Sequence, residues 1–322
     1  MAADARSLQN RPARSAPAFI RSAQITGRLL ARDAAIFFRN RLAIIGVTLL
    51  AVFALMSIAH PILLATIWKR GVYNPETGFD MDVVPWPAPP SPGHWLGVDT
   101  LGRDILSMLL ASTRPAFALA LTAAVMTAIV GPLIGAVSAY ARGVVDLLLS
   151  TLADAMLLMP VPVIMVIIGS AYYDEITTIQ FGLLYGLLAG LGSVAIIMRS
   201  YALKIMALPF IEAARVSGAG AGHIIFRHLI PYMLPLVAVH MMFSAVGAVV
   251  ADGFVGFIGY RTQLRLSWGS MIYNSIAFLA INPEIPWMQI VAPTLALSLF
   301  AAALYCVARG LHDVADPHLR GR

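Results

Sequence analysis

Few side chains in this sequence could do chemistry, and two of them, Asp154 and Asp252, stand inside long apolar stretches. A carboxylate is costly in such surroundings unless it faces a water-filled path or a partner on another helix. The two carboxylates could therefore line a route for a solute and contact a cationic group such as the ammonium of a peptide. The alternative, which we favour, is that each carboxylate caps or bonds a neighbouring helix.

The remaining candidates lie in one polar segment, and none of them completes a reactive site. Gly218, Gly220 and Gly222 suggest a phosphate-binding loop, but no Gly-Lys-Ser/Thr follows them. His223 and His228 are five residues apart and do not share a helical face, so we predict a structural role for His228 rather than a metal site. The sequence has no His-Glu-x-x-His, no Gly-x-Ser-x-Gly and no pair of cysteines. We therefore predict a non-catalytic chain that binds no cofactor and no metal.

The elements that position these residues are predicted to be membrane-spanning helices. Of the 322 residues, 59% are hydrophobic and 12% are charged, and the mean hydropathy is +0.81, which excludes a soluble globular protein. A spanning helix needs about 20 mostly apolar residues, because lipid cannot satisfy exposed backbone groups. We predict an all-α integral membrane protein with about six spans, at 42–67, 115–140, 149–171, 179–198, 232–258 and 287–308. Pro160 and Pro162 predict a kink in the third span.

The distribution of Lys and Arg predicts the orientation in the membrane. If the N-terminus is cytoplasmic, six spans return the C-terminus to the same side, and 16 of the 22 Lys and Arg residues then fall inside. We therefore predict that both termini are cytoplasmic. This topology and the anionic lipid headgroups explain the net charge of +6, so we predict contact with membrane lipids and none with nucleic acid.

We divide the chain into a basic cytoplasmic tail, a transmembrane domain and a short cytoplasmic C-terminal tail. Residues 1–40 carry seven Arg and no apolar run, which suits either a disordered tail or one with a short helix on the membrane surface. The transmembrane domain covers 41–309, and the second tail covers 310–322. Two stretches, 68–114 and 259–286, are predicted to lie outside. Aromatic residues in and beside the second stretch predict a belt at the lipid headgroups, namely Trp268, Tyr273 and Trp287.

One inner segment, 204–235, is longer than a passive bundle of helices needs. Pro209 suits the first turn of a helix, and Glu212 suits the positive end of its dipole. Gly218 suits a C-terminal cap, so we predict a helix of two turns from Pro209 to Ser217. A helix this short is unstable in water alone and must pack against something.

The surface of this short helix could receive a second protein. Small side chains would allow a close approach and charged side chains could pair across the contact, the residues being Ala213, Ala214, Glu212 and Arg215. A second short helix, 223–230, is predicted to end at Pro231.

Four motifs together resemble the permeases of bacterial ABC importers for dipeptides, oligopeptides and nickel. Glu212-Ala213-Ala214, followed by Gly218 and by Arg227-His228-Leu229-Ile230-Pro231, is similar to the EAA loop of these permeases. The other three motifs are the stretch from His94 to Asp104, Ser267-Trp268-Gly269, and the terminal stretch 311–317. They cover most of residues 36–320 in the order that the family has, and are most similar to the second, "C"-type permease subunit.

The resemblance implies the fold of a type I ABC importer permease, with a short coupling helix that sits in a groove of an ATPase subunit. It places seven residues at that contact: Glu212, Ala213, Ala214, Arg215, Gly218, His228 and Pro231. The implied partners are two ABC ATPase subunits that use ATP and magnesium, a homologous second permease and an extracytoplasmic substrate-binding protein, all at the bacterial inner membrane. The chain departs from the family in two places. The run 219–222 consists of Ala and Gly where the family usually has a polar segment, and Asp252 stands where the family often has Glu.

The main function implied is import of di- or oligopeptides, and other functions stay open at this point. Nickel, glutathione or another small solute could be the substrate, and the two permeases could form a heterodimer or a homodimer. A proton-coupled secondary transporter that uses Asp154 and Asp252, or a membrane scaffold or channel, would leave the EAA-like loop without a purpose. We therefore rank both behind an ABC importer.

Overall fold

The computed structural model of the protein describes residues 34–172, 176–258, 266–279 and 286–315. These residues are mostly helical, with two isolated antiparallel bridges in the segment before the second long helix. In chain order the helices are α1 (Arg41–Thr66), α2 (Arg70–Tyr73), α3 (Ile105–Ala141), α4 (Gly143–Leu158), α5 (Val161–Ala171), α6 (Thr178–Met206), α7 (Pro209–Val216), α8 (Ala221–Phe257), α9 (Trp268–Leu279) and α10 (Met288–Ala315). Residues 34–39 are also helical.

Five of the described helices are long and apolar enough to cross a membrane: α1, α3, α6, α8 and α10. The bent pair of α4 and α5 makes a sixth if it is one span. The prediction of an all-α integral membrane protein with about six spans is therefore confirmed. Two helices continue well past the predicted apolar stretches, since α3 begins at Ile105 and α6 ends at Met206.

The third span is broken, where the sequence predicted a kink. The axes of α4 and α5 differ by 78°. Pro160 caps the N-terminus of α5, and Pro162 lies in its first turn. Neither proline nitrogen can donate a hydrogen bond back into α4, and each proline disfavours a helical conformation in the residue before it. The helix therefore stops at Leu158 and restarts in a new direction.

Helix α3 lies at the centre of the bundle and contacts α1, α4, α6 and α8. On α6, glycines spaced four residues apart face α3, and a Cβ built on Gly186 would lie only 2.4 Å from the carbonyl oxygen of Ala123. The hydroxyl of Thr127 on α3 lies 3.1 Å from the carbonyl oxygen of Gly186 and 2.6 Å from the hydroxyl of Ser244 on α8. Small residues at a helix contact are a common way for spanning helices to associate closely.

Trp268 does not belong to an aromatic belt, so that prediction is wrong for this residue. Its side chain is 3% exposed, and its ring packs 5.6 Å from that of Phe53 and 5.5 Å from that of Phe300. The indole N–H donates to the carbonyl oxygen of Leu109 at 3.2 Å, which satisfies its polar end inside the bundle. Trp287, by contrast, is exposed.

The start of α1 and the end of α10 lie at the same end of the bundle. The side-chain amide of Asn40 donates to the carboxylate of Asp313 at 2.5 Å. The same Asn40 caps α1, because its side-chain oxygen accepts from the backbone N–H of Leu42 at 2.8 Å. An even number of spans requires this arrangement. The N-terminal tail proposed for 1–40 lies mostly outside the described residues.

Candidate functional site

Most of the 204–235 segment continues the helices that flank it. Helix α6 runs to Met206 and α8 begins at Ala221, so only 207–208 and 217–220 lie between helices. The predicted helix end at Pro231 is wrong, because α8 passes through that residue. A π-helical turn at Ile225–Leu229 precedes it and contains Arg227, whose carbonyl would clash with the proline ring in a regular α-helix.

The predicted two-turn helix is present as α7. It begins at Pro209, and just beyond its end Gly218 has a φ of +81°. The N–H of Gly218 donates to the carbonyl oxygen of Arg215 at 2.9 Å, and the N–H of Ala219 donates to that of Ala214 at 3.0 Å. This pair of bonds is a Schellman motif, and glycine adopts its left-handed position without strain. No atom lies within 4 Å of a Cβ built on Gly218, so the requirement for glycine is conformational.

One buried side chain holds α7 against the ends of the neighbouring helices. Ile211 is 0% exposed. It belongs to an apolar cluster that includes residues of α3, α6 and α8, among them Ala139, Ile205, Ile224, Leu229 and Met233. We call this the base cluster. Helix α7 is therefore packed against both flanking helices, α6 and α8, at once.

The outward face of α7 carries the residues proposed for docking. Glu212, Ala213 and Arg215 are exposed and Ala214 is half-buried. The guanidinium of Arg215 lies 5.9 Å from the centre of the Tyr140 ring, at a distance typical of a cation–π contact. Within the described parts of the chain, Glu212 forms no ion pair, so its carboxylate is open to a partner protein.

His228 lies in a row of rings beside α7. Its ring is 6.0 Å from that of Phe210 on α7 and 5.4 Å from that of His223. The ring of Tyr232 lies 5.9 Å from that of Phe210 and extends the row. Among the residues that the structure describes, no three His, Cys, Asp or Glu side chains are grouped to hold a metal ion. Pro231 is exposed on the same helix.

The two carboxylates predicted inside the spans line different cavities. Asp252 is half-buried beside a narrow cavity of about 20 Å³, which is also lined by residues of α3, α9 and α10 such as Ser112, Trp268 and Leu297. Asp154 lies on α4 beside a cavity of about 90 Å³, together with Arg199. The structure therefore does not bring the two residues into one site.

An ion pair that the sequence did not indicate lies next to Asp154. Arg199 on α6 donates through Nε and Nη2 to the two carboxylate oxygens of Asp146 on α4, and both distances are 2.6 Å. The hydroxyls of Ser138 on α3 and Ser150 on α4 also donate to Asp146. Asp146 was overlooked because the third span was predicted to begin at residue 149. Its i, i+4 spacing to Ser150 is too common to have identified it.

The stretch from His94 to Asp104 folds against the beginning of α3. Asp104 caps α3 by accepting from the backbone N–H of Ser107 at 2.6 Å. His94 is 2% exposed, and its ring bridges two carboxylates, with Nδ1 2.8 Å from Asp104 and Nε2 3.0 Å from Asp80. We call these three residues the His94 network. It fixes the segment between α1 and α3 to the end of the bundle opposite α7.

Burial and hydrogen bonding shift the pKa values of the His94 network. Burial by itself lowers the pKa of His94, but the bonds to Asp80 and Asp104 outweigh it, and the net direction is upward from 6.5. Burial raises the pKa of Asp104 above 3.8. The hydrogen bond to His94 is the main cause that lowers the pKa of Asp80. Asp80 is therefore ionised, and the His94 ring that it faces favours the protonated imidazolium form.

A second ion pair holds the turn that follows. Arg103 donates through Nε and Nη2 to one carboxylate oxygen of Asp99, at 2.8 and 2.6 Å. The other oxygen of Asp99 accepts from the backbone N–H groups of Leu101 and Arg103. On α10, the amide of Gln289 donates to the carbonyl oxygen of Val98 at 2.8 Å and attaches this turn to the last span. These contacts give the motif at 94–104 a structural role.

The comparisons with known proteins agree with this architecture. The family described as the inner membrane component of binding-protein-dependent transport systems matches residues 131–321. A putative peptide permease protein of Brucella suis biovar 1 is 30% identical over 293 residues, which is 89% of this chain and 91% of the relative. The oligopeptide transport system permease protein OppC of Haemophilus influenzae is 28% identical over 301 residues, 92% of each chain. The glutathione transport system permease protein GsiD of Pectobacterium atrosepticum is 27% identical over 253 residues, 77% of this chain and 80% of the relative.

The matched region runs from the second half of α3 through the 204–235 segment to α10 and beyond. It therefore includes α7, the base cluster and both members of the Asp146–Arg199 pair. The chain is a multi-pass membrane protein that belongs to the family of binding-protein-dependent transport system inner membrane components, the membrane permeases of ABC importers.

Proposed function

We propose that this chain forms half of the translocation pathway of an ABC importer for di- or oligopeptides. In this proposal it couples the pathway to ATP hydrolysis by separate subunits. Peptides are the cargo named for the Brucella and Haemophilus relatives, and each of these aligns with about nine tenths of this chain. The relative named for glutathione, which is itself a small peptide, aligns with a smaller share.

The position of α7 is the observation that carries the coupling part of the proposal. The helix has eight residues, too few to be stable without tertiary contacts, and a single residue, Ile211, buries it in the base cluster. The face with Glu212 and Ala213 is left open. A partner that binds this face and moves α7 would displace α6 and α8 together, which suits rigid-body alternating access.

The proposed complex contains this chain, a homologous second permease, two ABC ATPase subunits and an extracytoplasmic substrate-binding protein. One coupling helix per permease and two ATPase grooves require two permeases, and we propose a heterodimer. ATP and magnesium are bound by the ATPase subunits, so this chain is a non-catalytic subunit without a cofactor of its own. The docking set is Glu212, Ala213, Ala214, Arg215, Gly218, His228 and Pro231.

We propose that α7 and both chain termini face the cytoplasm of a bacterial cell. The excess of Lys and Arg on that side of the chain supports this orientation. The His94 network would then lie on the outer side, where a binding protein delivers the substrate. Asp252 and Asp154 line separate cavities between helices, and contact with the translocation route is, for both, the alternative to the bond with a neighbouring helix that we favour.

The substitution Glu212→Lys tests the coupling proposal. It reverses the charge on the open face of α7, so we expect the ATPase subunits to bind at least about tenfold more weakly, in the range measured for close charge pairs at interfaces. The measurements are copurification of the ATPase subunits with the permeases and ATP-dependent uptake of a labelled peptide into proteoliposomes.

Ser217→Ala is the matched control. Ser217 is exposed in the same loop, and its hydroxyl only returns a hydrogen bond to the carbonyl oxygen of Ala213. We expect this variant to copurify and transport like the wild type. Unchanged copurification and uptake in Glu212→Lys would show that α7 is not the docking helix.

A further inference from the structure

The ion pair between Asp146 and Arg199 joins three of the spanning segments at one carboxylate. Arg199 belongs to α6, Asp146 and Ser150 belong to α4, and Ser138 belongs to α3. All three partners donate to the same side chain of Asp146. A planar guanidinium that meets both carboxylate oxygens fixes orientation as well as distance. The junction therefore sets the angle between α6 and α4.

The junction lies close to α7 along the chain. Arg199 stands ten residues before Pro209, and α6 is continuous helix from Arg199 to Met206. Ala207 and Leu208 are the only residues between α6 and α7. Helix α6 also packs against α3 at Arg199. Gly135 of α3 approaches its backbone so closely that a Cβ built on Gly135 would lie 2.6 Å from the backbone nitrogen of Arg199. The end of α6 is thus held firmly at the level of Arg199.

From Arg199 towards its C-terminal end, α6 connects to α7 and the base cluster. From Asp146 onward, α4 forms the first half of the broken third span and is followed by α5. A displacement of α7 reaches α4 by two routes, through apolar packing and through the ion pair. Apolar packing between α4 and the rest of the bundle is limited, since Ala153 is the one buried residue within α4. Several large apolar side chains of α4 are instead exposed, such as Leu147 and Leu148. The later part of α4 also packs against α6, where a Cβ built on Gly192 would lie 3.4 Å from the Cβ of Met156 and 3.5 Å from the backbone nitrogen of Leu157. The ion pair is the charged connection between α4 and α6, and it lies nearer to α7 along α6 than this contact does.

We propose that Asp146 and Arg199 are positioning residues that transmit the displacement of α7 to the third span. The inference rests on the proposed function, because it assumes that ATPase subunits act on α7. Neither residue needs to touch the substrate or the ATPase. When the pair is intact, α4 follows α6 as a rigid body. When it is broken, α7 still binds and moves, but the third span no longer follows.

The test measures coupling separately from assembly, in the complete transporter reconstituted with its ATPase subunits and binding protein. The variants are Asp146→Asn and Arg199→Lys, each of which removes the two-pronged ion pair with a small change in volume. For both we expect normal copurification of the ATPase and retained ATP hydrolysis. We expect the amount of peptide imported per ATP to fall about tenfold, within the usual range of coupling free energies.

Two further variants separate transmission from simple structural support. Arg142→Gln removes a positive charge from the exposed turn between α3 and α4 and leaves the ion pair intact, so it should import peptide at the wild-type ratio. The exchange Asp146→Arg with Arg199→Asp restores opposite charges in reversed positions, and should recover at least part of the lost coupling. The amount of folded complex is measured by gel filtration for every variant.

The outcomes are distinct. Normal peptide import per ATP in Asp146→Asn and Arg199→Lys would overturn the inference and leave the proposed function intact. So would parallel losses of complex, hydrolysis and uptake that the exchanged pair does not rescue, because a purely structural role predicts them. Failure of the wild-type chain to copurify with an ATPase would instead contradict the proposed function itself.

Discussion

Ile211 and Gly218 show how much of α7 depends on single residues. Ile211 is the one buried side chain within this helix, and Gly218 ends it in a conformation that other residues rarely adopt. The exposed residues of α7, among them Glu212, contribute little to its packing. Ile211 therefore holds the helix and Glu212 could meet a partner, while Gly218 belongs to both groups.

His94 is the residue whose chemistry predicts a pH dependence. Its pKa is raised in the folded chain, so its contribution to stability is fully present below about pH 6.5 and is lost as the pH rises through the raised value. The pKa of Asp104 is also raised, so its contribution to stability is likewise lost as the pH rises, but in the acid range. Asp80 contributes to stability in the opposite direction, because its pKa is lowered in the folded chain. This contribution is present above pH 3.8 and is lost as the pH falls through the lowered pKa.

We therefore expect the segment from Asp80 to Asp104 to be most stable in mildly acidic solution. Amide hydrogen exchange in this segment should become roughly two- to tenfold faster between pH about 5.5 and pH about 8.5, after correction for the intrinsic rate. In His94→Gln the pH dependence should disappear. Equal corrected rates at the two pH values in the wild type would contradict the assignment.

At the scale of elements, the close contact between α3 and α6 decides how the bundle is assembled. The glycines of α6 let its backbone approach α3, and Thr127 then bonds across the contact. The α4–α5 pair differs, because it is broken at Pro160 and has only three buried residues, Ala153, Met165 and Gly169. The α3–α6 contact therefore suits a rigid part of the molecule, and the Asp146–Arg199 pair attaches α4 to it.

Gly186→Val tests this contact. Its new Cβ would lie 2.4 Å from the carbonyl oxygen of Ala123, which neither backbone can relieve without separating the helices. We expect a loss of about 1–3 kcal/mol in the free energy of unfolding, the usual cost of overpacking. The measurement is thermal unfolding of the purified protein in detergent.

Gly222→Ala is the control for this experiment. No atom lies within 4 Å of a Cβ built there, and the residue is in the first turn of α8. We expect no loss of stability, and at most a gain of about 1 kcal/mol from the better helix propensity of alanine. If Gly186→Val unfolded at the same temperature as Gly222→Ala, the contact would not be close in the native protein.

At the scale of the whole molecule, the hydrogen bond between Asn40 and Asp313 places the two ends of the spanning region together. The base cluster lies at that end as well if each span, the broken pair included, crosses once. The His94 network then lies at the other end. This polarity is what a transporter needs that receives substrate on one side and is driven from the other.

Cysteine labelling tests the orientation of the molecule. Cys306 is the single native cysteine, and Cys306→Ala gives a background for new ones. Trp95 is 73% exposed near the His94 network, and Phe38 is 54% exposed before α1. We expect a membrane-impermeant maleimide to label Trp95→Cys in intact cells and Phe38→Cys only after permeabilisation. The reverse labelling pattern would show that the termini lie outside the cell and that the predicted orientation is wrong.

Much of the fold could be predicted from the sequence, because its signals are local. The number of spans follows from runs of apolar residues, since lipid forces each run into a helix. The break at Pro160 and the helix from Pro209 follow from the backbone chemistry of proline, and the cap at Gly218 from that of glycine. The docking residues were proposed from the same local motif, and the structure added that Glu212, Ala213 and Arg215 are exposed on α7.

Contacts between residues far apart in the chain needed the tertiary structure. Asp146 and Arg199 are separated by 53 positions, and neither carries a sign of its partner. Trp268 resembled an interfacial residue until its packing against Phe53 and Phe300 was known, because its amphipathic side chain suits both places. The sequence by itself therefore determined which segments cross the membrane and where α7 begins and ends. The tertiary structure alone decided which helices are joined to one another, because that depends on side chains that meet only after the chain has folded.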